Sequence, residues 1–534
     1  MKIQRWDTFE LSHQAQQEHE YPFRFVDFSA TFEHAESGRQ LTTDGFYDGE
    51  ATWRLRFMPT ELGAWHYTTR SNDPGLDGHQ GAFDCVAPND AFLRGPVASR
   101  GYHFFHADGT PRLLLSTRLS CHFQEPEVWQ AGIDYLAQHK INRVLFIMGG
   151  VHGTVHQLYG ASKEGEAPDF FRYNLEKFRA IDRFIDALRR ADILAAPYFY
   201  YFNDRTQRGM TPEQDRAYLR YGMARFGAYC NVLPVLSNEV DQKFTDRRGQ
   251  YDLDSHVWAN QMGGYLKGLS HYGAAVTVHN PMETEYATNP GFYTLLRDWP
   301  FPWTDYMLRQ AQLAALSAPE IGDDVPEAKE AVYNVRGYAR HNELLIDLRR
   351  FGIPVINEEP GYEMAGNGPF PEVTPIRMRP WNSQTADSLV PTFWSSTAAG
   401  GYVMWGNFAT YWMKDPLPGL QRSPTPRHLR ILHDFVTALP YYQMEPANEL
   451  VDAAPIDFDG TGFRSNFCLA KKDEIYLVFT MAGAVKLELG EGTYATTQLD
   501  PRSGREIDLG TVDGGVQRFA LEGEEQVLLC QRTE

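Results

Sequence analysis

Between residue 101 and about residue 435, apolar runs of four to eight residues alternate with segments whose apolar positions recur at helical spacing. Few architectures tolerate that rhythm. Strands with helices between them lie parallel, because a parallel neighbour is reached only through a crossover of a dozen or more residues. In order, the strand-like runs are PRLLLST (111–117), INRVLFIMGG (141–150), DILAAPYFYY (192–201), NVLPVLSNE (231–239), AAVTVHN (274–280), DYMLRQ (305–310), IPVINEEP (353–360) and GGYVMWGNF (400–408). That makes eight, of which DYMLRQ is the least strand-like. YNLEKFRAIDRFIDALRRA and AKEAVYNVRGYARHNELLIDLRRF are clear amphipathic helices between them. Eight such units over this length predict a (β/α)8 TIM barrel with insertions.

The flanks change period. PFRFVDFSATFEH and ATWRLRFMPTELGAWHYTTRS before the barrel, and NFCLAKKDEIYLVFTMAGAVKLELG after it, alternate at the two-residue period of antiparallel strands. The expected organisation is an N-terminal β-sandwich (1–95), the barrel (96–440) and a C-terminal β-sandwich (441–534), because 534 residues exceed what one core accommodates. Fifty Lys and Arg against 69 Asp and Glu give a net charge of −19, with no basic stripe, so a nucleic-acid partner is not expected. Neither an apolar leader nor a run of about 20 apolar residues is visible, so no membrane partner is expected. The chain reads as cytoplasmic, although a secreted form cut from its leader would read the same. Five scattered cysteines without CxxC spacing read as buried free thiols.

Barrel strands end on the catalytic face. NVLPVLSNEVD therefore places Asn238 and Glu239 at a pocket, and IPVINEEPGYE places Glu358 and Glu359 across from them. Two carboxylates about 5 Å apart suit double-displacement glycoside hydrolysis, in which one protonates the leaving oxygen and the other attacks the anomeric carbon. Adjacent strand residues face opposite ways, so period alone does not choose between Glu358 and Glu359. His279 and Asn280 end the fifth strand and Arg118 follows the first; each is a candidate to contact substrate or to brace the glutamates. Tyr198 and Tyr200 on the third strand and Asp305 near the sixth are weaker candidates. His152 and His156 lie four apart but lack the glutamate of a zinc HExxH helix, so neither metal nor cofactor is expected.

Three segments carry a family resemblance. RYGMARFGAYCNVLPVLSNEVD and GYHFFHADGTPRLLLSTR resemble the fourth-strand and first-strand segments of apiosidase-like (β/α)8 glycoside hydrolases. GFYDGEATWRLRFMPTELGAWHYTTRS resembles the sandwich of unknown function that often precedes such barrels. The wider retaining clan carries its acid/base after an Asn on strand four and its nucleophile on strand seven. The resemblance thus implies Glu239 as acid/base, Glu359 as nucleophile with Glu358 the second choice, Asn238 as a ligand of the adjacent sugar hydroxyl, and Trp405 as an aromatic floor. Pro360 replaces the aromatic residue usual in the clan, and Pro234 removes a ladder donor from strand four. The implied substrate is a side chain of a plant or microbial polysaccharide, with pocket shape set by loops 152–172, 280–303 and 364–388. Two rival readings remain: an inverting glycosidase, with carboxylates about 6.5 to 9.5 Å apart, and a non-catalytic carbohydrate-binding protein. A homo-oligomer is also left open.

Overall fold

The computed structural model describes residues 1–151, 153–160, 168–245, 252–282, 301–311, 330–363, 383–412, 414–456 and 462–533. Seven strands fill the first 86 residues: β1 (Lys2–Gln4), β2 (Phe9–Gln14), β3 (Phe28–His34), β4 (Gln40–Gly49), β5 (Thr52–Phe57), β6 (Gly63–Ser71) and β7 (Gln80–Val86). Their order is β1-β7-β6-β3-β4-β5-β2. β4 changes partner halfway, pairing with β3 through Asp44 and with β5 from Gly45. The two halves bury a shared core that includes Phe9, Phe32, Phe57, Trp65 and Phe83. A hairpin, β8 (Val97–Arg100) and β9 (His103–His106), leads into the central sheet.

The central strands are β10 (Ser116–Arg118), β11 (Arg143–Ile147), β12 (Leu194–Tyr201), β13 (Val235–Asn238), β14 (His279–Met282), β15 (Met307–Gln310) and β16 (Val355–Asn357). The short β17 (Tyr362–Glu363) and β18 (Ser383–Gln384) precede β19 (Tyr402–Asn407). All eight expected strands are thus present, DYMLRQ included, in the parallel order β13-β12-β11-β10-β19-β16-β15-β14. The sheet curls strongly. An isolated parallel bridge between Val235 and Thr277 links its β13 edge to the segment entering β14. Pro234 sits just before β13, where its missing N–H costs no ladder bond, and its carbonyl accepts from Thr277 N at 3.3 Å.

Helices α1 (Pro22–Phe25), α2 (Pro126–Gln138), α3 (Leu175–Arg190), α4 (Pro212–Phe226) and α5 (Leu253–Leu269) occupy the first part of the chain, and all but α1 follow central strands. α3 shows why these segments are helical. Asn174 caps its first turn by accepting from Lys177 N, and Phe178, Ile181, Phe184, Ile185 and Leu188 fall on one buried face. Thr211 and Gln214 form a reciprocal capping box that starts α4. Later helices, Glu330–Leu348, Ala386–Ala398 and Thr425–Thr437, follow β15, β16 and β19 respectively. Residues 283–300, between β14 and β15, lie outside the described residues.

Six strands close the chain: β20 (Glu445–Pro446), β21 (Asn466–Lys471), β22 (Ile475–Thr480), β23 (Ala484–Leu499), β24 (Glu506–Ala520) and β25 (Gln526–Arg532). They are antiparallel, in the order β20-β21-β22-β25-β23-β24. Alternation divides their side chains: Phe467, Leu469 and Phe479 join the central core, while Cys468, Ala470 and Val478 face a separate one. At the other end, a buried ion network ties the N-terminal sheet to α3 and α4. Asp182 accepts from Arg56 at 2.6 Å and from Arg225 at 2.8 Å, and Arg225 also donates to Asp48 at 3.0 Å. All five cysteines are free and buried.

Candidate active site

β13 ends abruptly because Glu239 turns left-handed, with φ 38° and ψ 67°. For a residue with a side chain that conformation costs about 1–2 kcal/mol, and it starts the tight turn Val240–Gln242. The turn brings the Gln242 side-chain amide back onto Glu239 Oε2, which also accepts from Asn203 Nδ2 at 2.7 Å. Asn238 donates to Asn203 Oδ1 at 3.4 Å, which makes Asn203 the link between the two strand-end residues. The Glu239 backbone N–H donates to His279 Nδ1 at 3.3 Å. Burial, then the positive charges of Arg118 and Arg143, press the His279 pKa down to about 3. His279 is therefore a neutral imidazole with its proton on Nε2, as the acceptor role of Nδ1 requires.

The adjacent glutamates after β16 have different surroundings. Glu358 points into the curled sheet, where Arg143, the first residue of β11, donates to both of its oxygens at 3.0 Å and the Tyr198 hydroxyl donates at 3.0 Å. Both members of this ion pair are essentially inaccessible, at 0% and 2% side-chain exposure. Glu359 instead accepts from the Gln310 side-chain amide at 2.8 Å, at the end of β15. Tyr362 also hydrogen-bonds Glu359, and burial first, with the Glu359 charge next, holds its phenol well above the ordinary range. Tyr411 senses both strand-end carboxylates. Burial raises its pKa, Arg118 lowers it, and Glu359 and then Glu239 raise it further. The Arg118 guanidinium lies 3.9 Å over the Tyr411 ring. Arg118 is 2% exposed, and its Nε and Nη2 have no hydrogen-bond partner among the described residues.

Glu239, Glu359, Asn238, His279 and Arg118 are thus gathered around one set of contacts. Trp405 is fully buried, and its indole N–H is committed to Glu363 at 2.7 Å, with the Ser423 hydroxyl donating to the same carboxylate. Asn280 lies on β14, but its side chain is outside the described residues. Two expectations are corrected. Tyr200 faces outward, its hydroxyl donating to Asp215 O on α4 and its ring packing on Phe202, Tyr218 and Trp258. At the end of β12 it is Tyr201 that approaches Tyr411, Arg118 and Glu239. Asp305 precedes β15, at the far end of the sheet, where Lys267 and Val276 N donate to it. His152 and much of loops 152–172, 280–303 and 364–388 lie outside the described residues. No group of metal-binding side chains occurs among the described residues, nor does a helix long and apolar enough to cross a membrane.

Sequence reasoning missed Asn203, Gln242, Gln310, Tyr362 and Tyr411. Gln310 was accessible to it as the last residue of the sixth strand. The others follow strand ends at distances that no period fixes.

A curled parallel sheet with carboxylates at its strand ends, between two β-rich layers, defines an enzyme of the glycoside hydrolase class. Residues 102–425, over half of the chain, match the family described as apiosidase-like, catalytic domain, and the chain belongs to that family. Residues 2–72 match a domain of unknown function, DUF5060. Among solved structures, the chain is similar to a protein of Bacteroides vulgatus ATCC 8482 assigned as a glycoside hydrolase, with 20% identity, a TM-score of 0.73 and 100% of each chain covered. It is also similar to a glycoside hydrolase family 5 protein of the same organism, with 14% identity and a TM-score of 0.59 over 83% of this chain and 95% of that one. At those identities the likeness speaks for the fold. No curated protein matches the sequence.

Proposed function

We propose that this protein is a retaining glycosidase in which Glu239 is the acid/base and Glu359 the nucleophile, acting on a side chain of a polysaccharide. The different tethering of the three glutamates supports this reading most. Glu358 is consumed by a buried ion pair with Arg143, whereas Glu239 accepts from the Asn203 amide and Glu359 from the Gln310 amide, donors that orient each carboxylate. Glu359 attacks the anomeric carbon while Glu239 gives its proton to the departing oxygen. Once Glu359 is esterified its charge is gone, and Glu239 takes a proton from the water that releases the sugar. In this reading Asn238 meets the hydroxyl beside the reacting carbon; the interactions of Arg118 and Tyr411 with Glu359 support the role given to that carboxylate. The framework we propose is a closed (β/α)8 barrel, residues 96–440, between β-sandwiches of residues 1–95 and 441–534. The strand order and the Val235–Thr277 bridge support it.

The test follows the anomer first released from an aryl glycoside by NMR, with Glu239→Gln and Glu359→Gln beside the wild type. Retained configuration, with both variants inactive, is the expected result. Release of the inverted anomer would replace double displacement with a single displacement by water.

A further inference from the structure

A cavity lies away from the glutamates, where the N-terminal sheet meets α4. It has a volume of about 220 Å³, and its lining includes Phe23, Tyr47, Trp53, Phe171, Arg216 and Tyr265. Trp53 is 3% exposed, yet its indole N–H finds no acceptor among the described residues. The Trp53 side chain thus belongs to the packed wall and shapes the cavity. The wall is tightly built: a Cβ on Gly45 would lie 2.1 Å from the Phe28 ring. Arg24, also in the lining, sets its guanidinium 4.4 Å from the Phe171 ring. Arg220 is fixed beside the cavity by two hydrogen bonds to Asp44.

We infer that this cavity is an accessory glycan site that holds one sugar ring. Aromatic faces stack on the C–H face of a sugar, while the guanidinium donors of Arg216 and Arg220 suit its hydroxyl oxygens. The volume is below the roughly 300–1,000 Å³ of pockets for larger ligands, which fits a single ring and not a chain. Because α4 returns against the direction of the strands, its N-terminal half, which carries Arg216, lies toward the end of the sheet that holds Glu239 and Glu359. A polymer cleaved at the glutamates can therefore be held here as well. The choice of a sugar as ligand rests on the glycosidase reading; the cavity does not.

The experiment uses full-length protein carrying Glu239→Gln and Glu359→Gln, run in affinity gels containing arabinan, galactan, xylan or homogalacturonan. At least one polymer should retard it, and adding Tyr47→Ala or Arg216→Ala should weaken that retardation about tenfold. In the active enzyme the same substitutions should slow polymer hydrolysis and leave aryl-glycoside hydrolysis unchanged. Arg216 is exposed on α4, so Arg216→Ala still decides the matter if Tyr47→Ala fails to fold. Absence of retardation by every polymer, or retardation untouched by the folded variants, overturns the proposal. Folded wild-type protein that hydrolyses nothing would refute the catalytic reading alone, because the gel experiment does not depend on turnover.

Discussion

Replacing Glu358 by Gln, beside the same change at Glu359, tests the roles proposed for these adjacent glutamates. The change preserves volume and removes one charge, leaving the Arg143 guanidinium at 0% side-chain exposure without its counterion. Breaking a buried pair from one side costs about 3–5 kcal/mol, because the remaining charge stays desolvated. The Tyr198 hydroxyl, 3.0 Å from Glu358 Oε1, also loses a charged acceptor. Taking about 2 °C per kcal/mol, the low end for large domains, the melting temperature should fall by roughly 6–10 °C. Glu359→Gln keeps its contact with Gln310 and should melt within about 2 °C of wild type, while hydrolysis falls by about a thousandfold or more. The assay is calorimetric melting of both variants at neutral pH beside aryl-glycoside hydrolysis. Adding Arg143→Met to Glu358→Gln removes both charges and should recover much of the lost stability, since a buried pair replaced on both sides is often neutral. A Glu358→Gln protein that melts like wild type but is inactive, beside an active Glu359→Gln, would refute the assignment.

Truncating Gln310 to Ala removes the amide that holds Glu359; kcat should fall about tenfold, the worth of one hydrogen bond, with KM little changed. Asn203→Ala should likewise lower kcat, because Glu239 loses a donor at 2.7 Å, whereas an unchanged kcat would exclude the contact from catalysis. Asp182→Asn, in the ion network beneath the N-terminal sheet, should destabilise by about 3–5 kcal/mol in denaturant melts without altering KM. Stability should also fall with acid. Burial chiefly depresses His103, His106, His122 and His341 to about 4, with nearby arginines adding for His103 and His106. Between about pH 6.5 and 4 the unfolded chain binds more protons than the folded one, so stability is full above 6.5 and is lost as pH falls through that window. A flat melting temperature from pH 7 to 4.5 would contradict their neutral burial.

The sequence by itself determined the alternation of eight strands with helices, the change of period at both flanks, and the strand ends that carry Glu239 and Glu359. These are legible because a strand repeats every two residues and a helix every 3.6, so burial writes itself locally into the chain. Only the tertiary structure gave two adjacent glutamates different surroundings, since these depend on Arg143, 215 residues from Glu358, and on Gln310, 49 residues from Glu359. The same holds for Tyr200 and Tyr201. Where β12 gives way to the turn Phe202–Asp204 the pleat no longer dictates direction, and Tyr200 packs on α4 while Tyr201 approaches Arg118. Periodicity ends with the strand, and the site begins there; its residues are placed by contacts between distant segments, which no local pattern records.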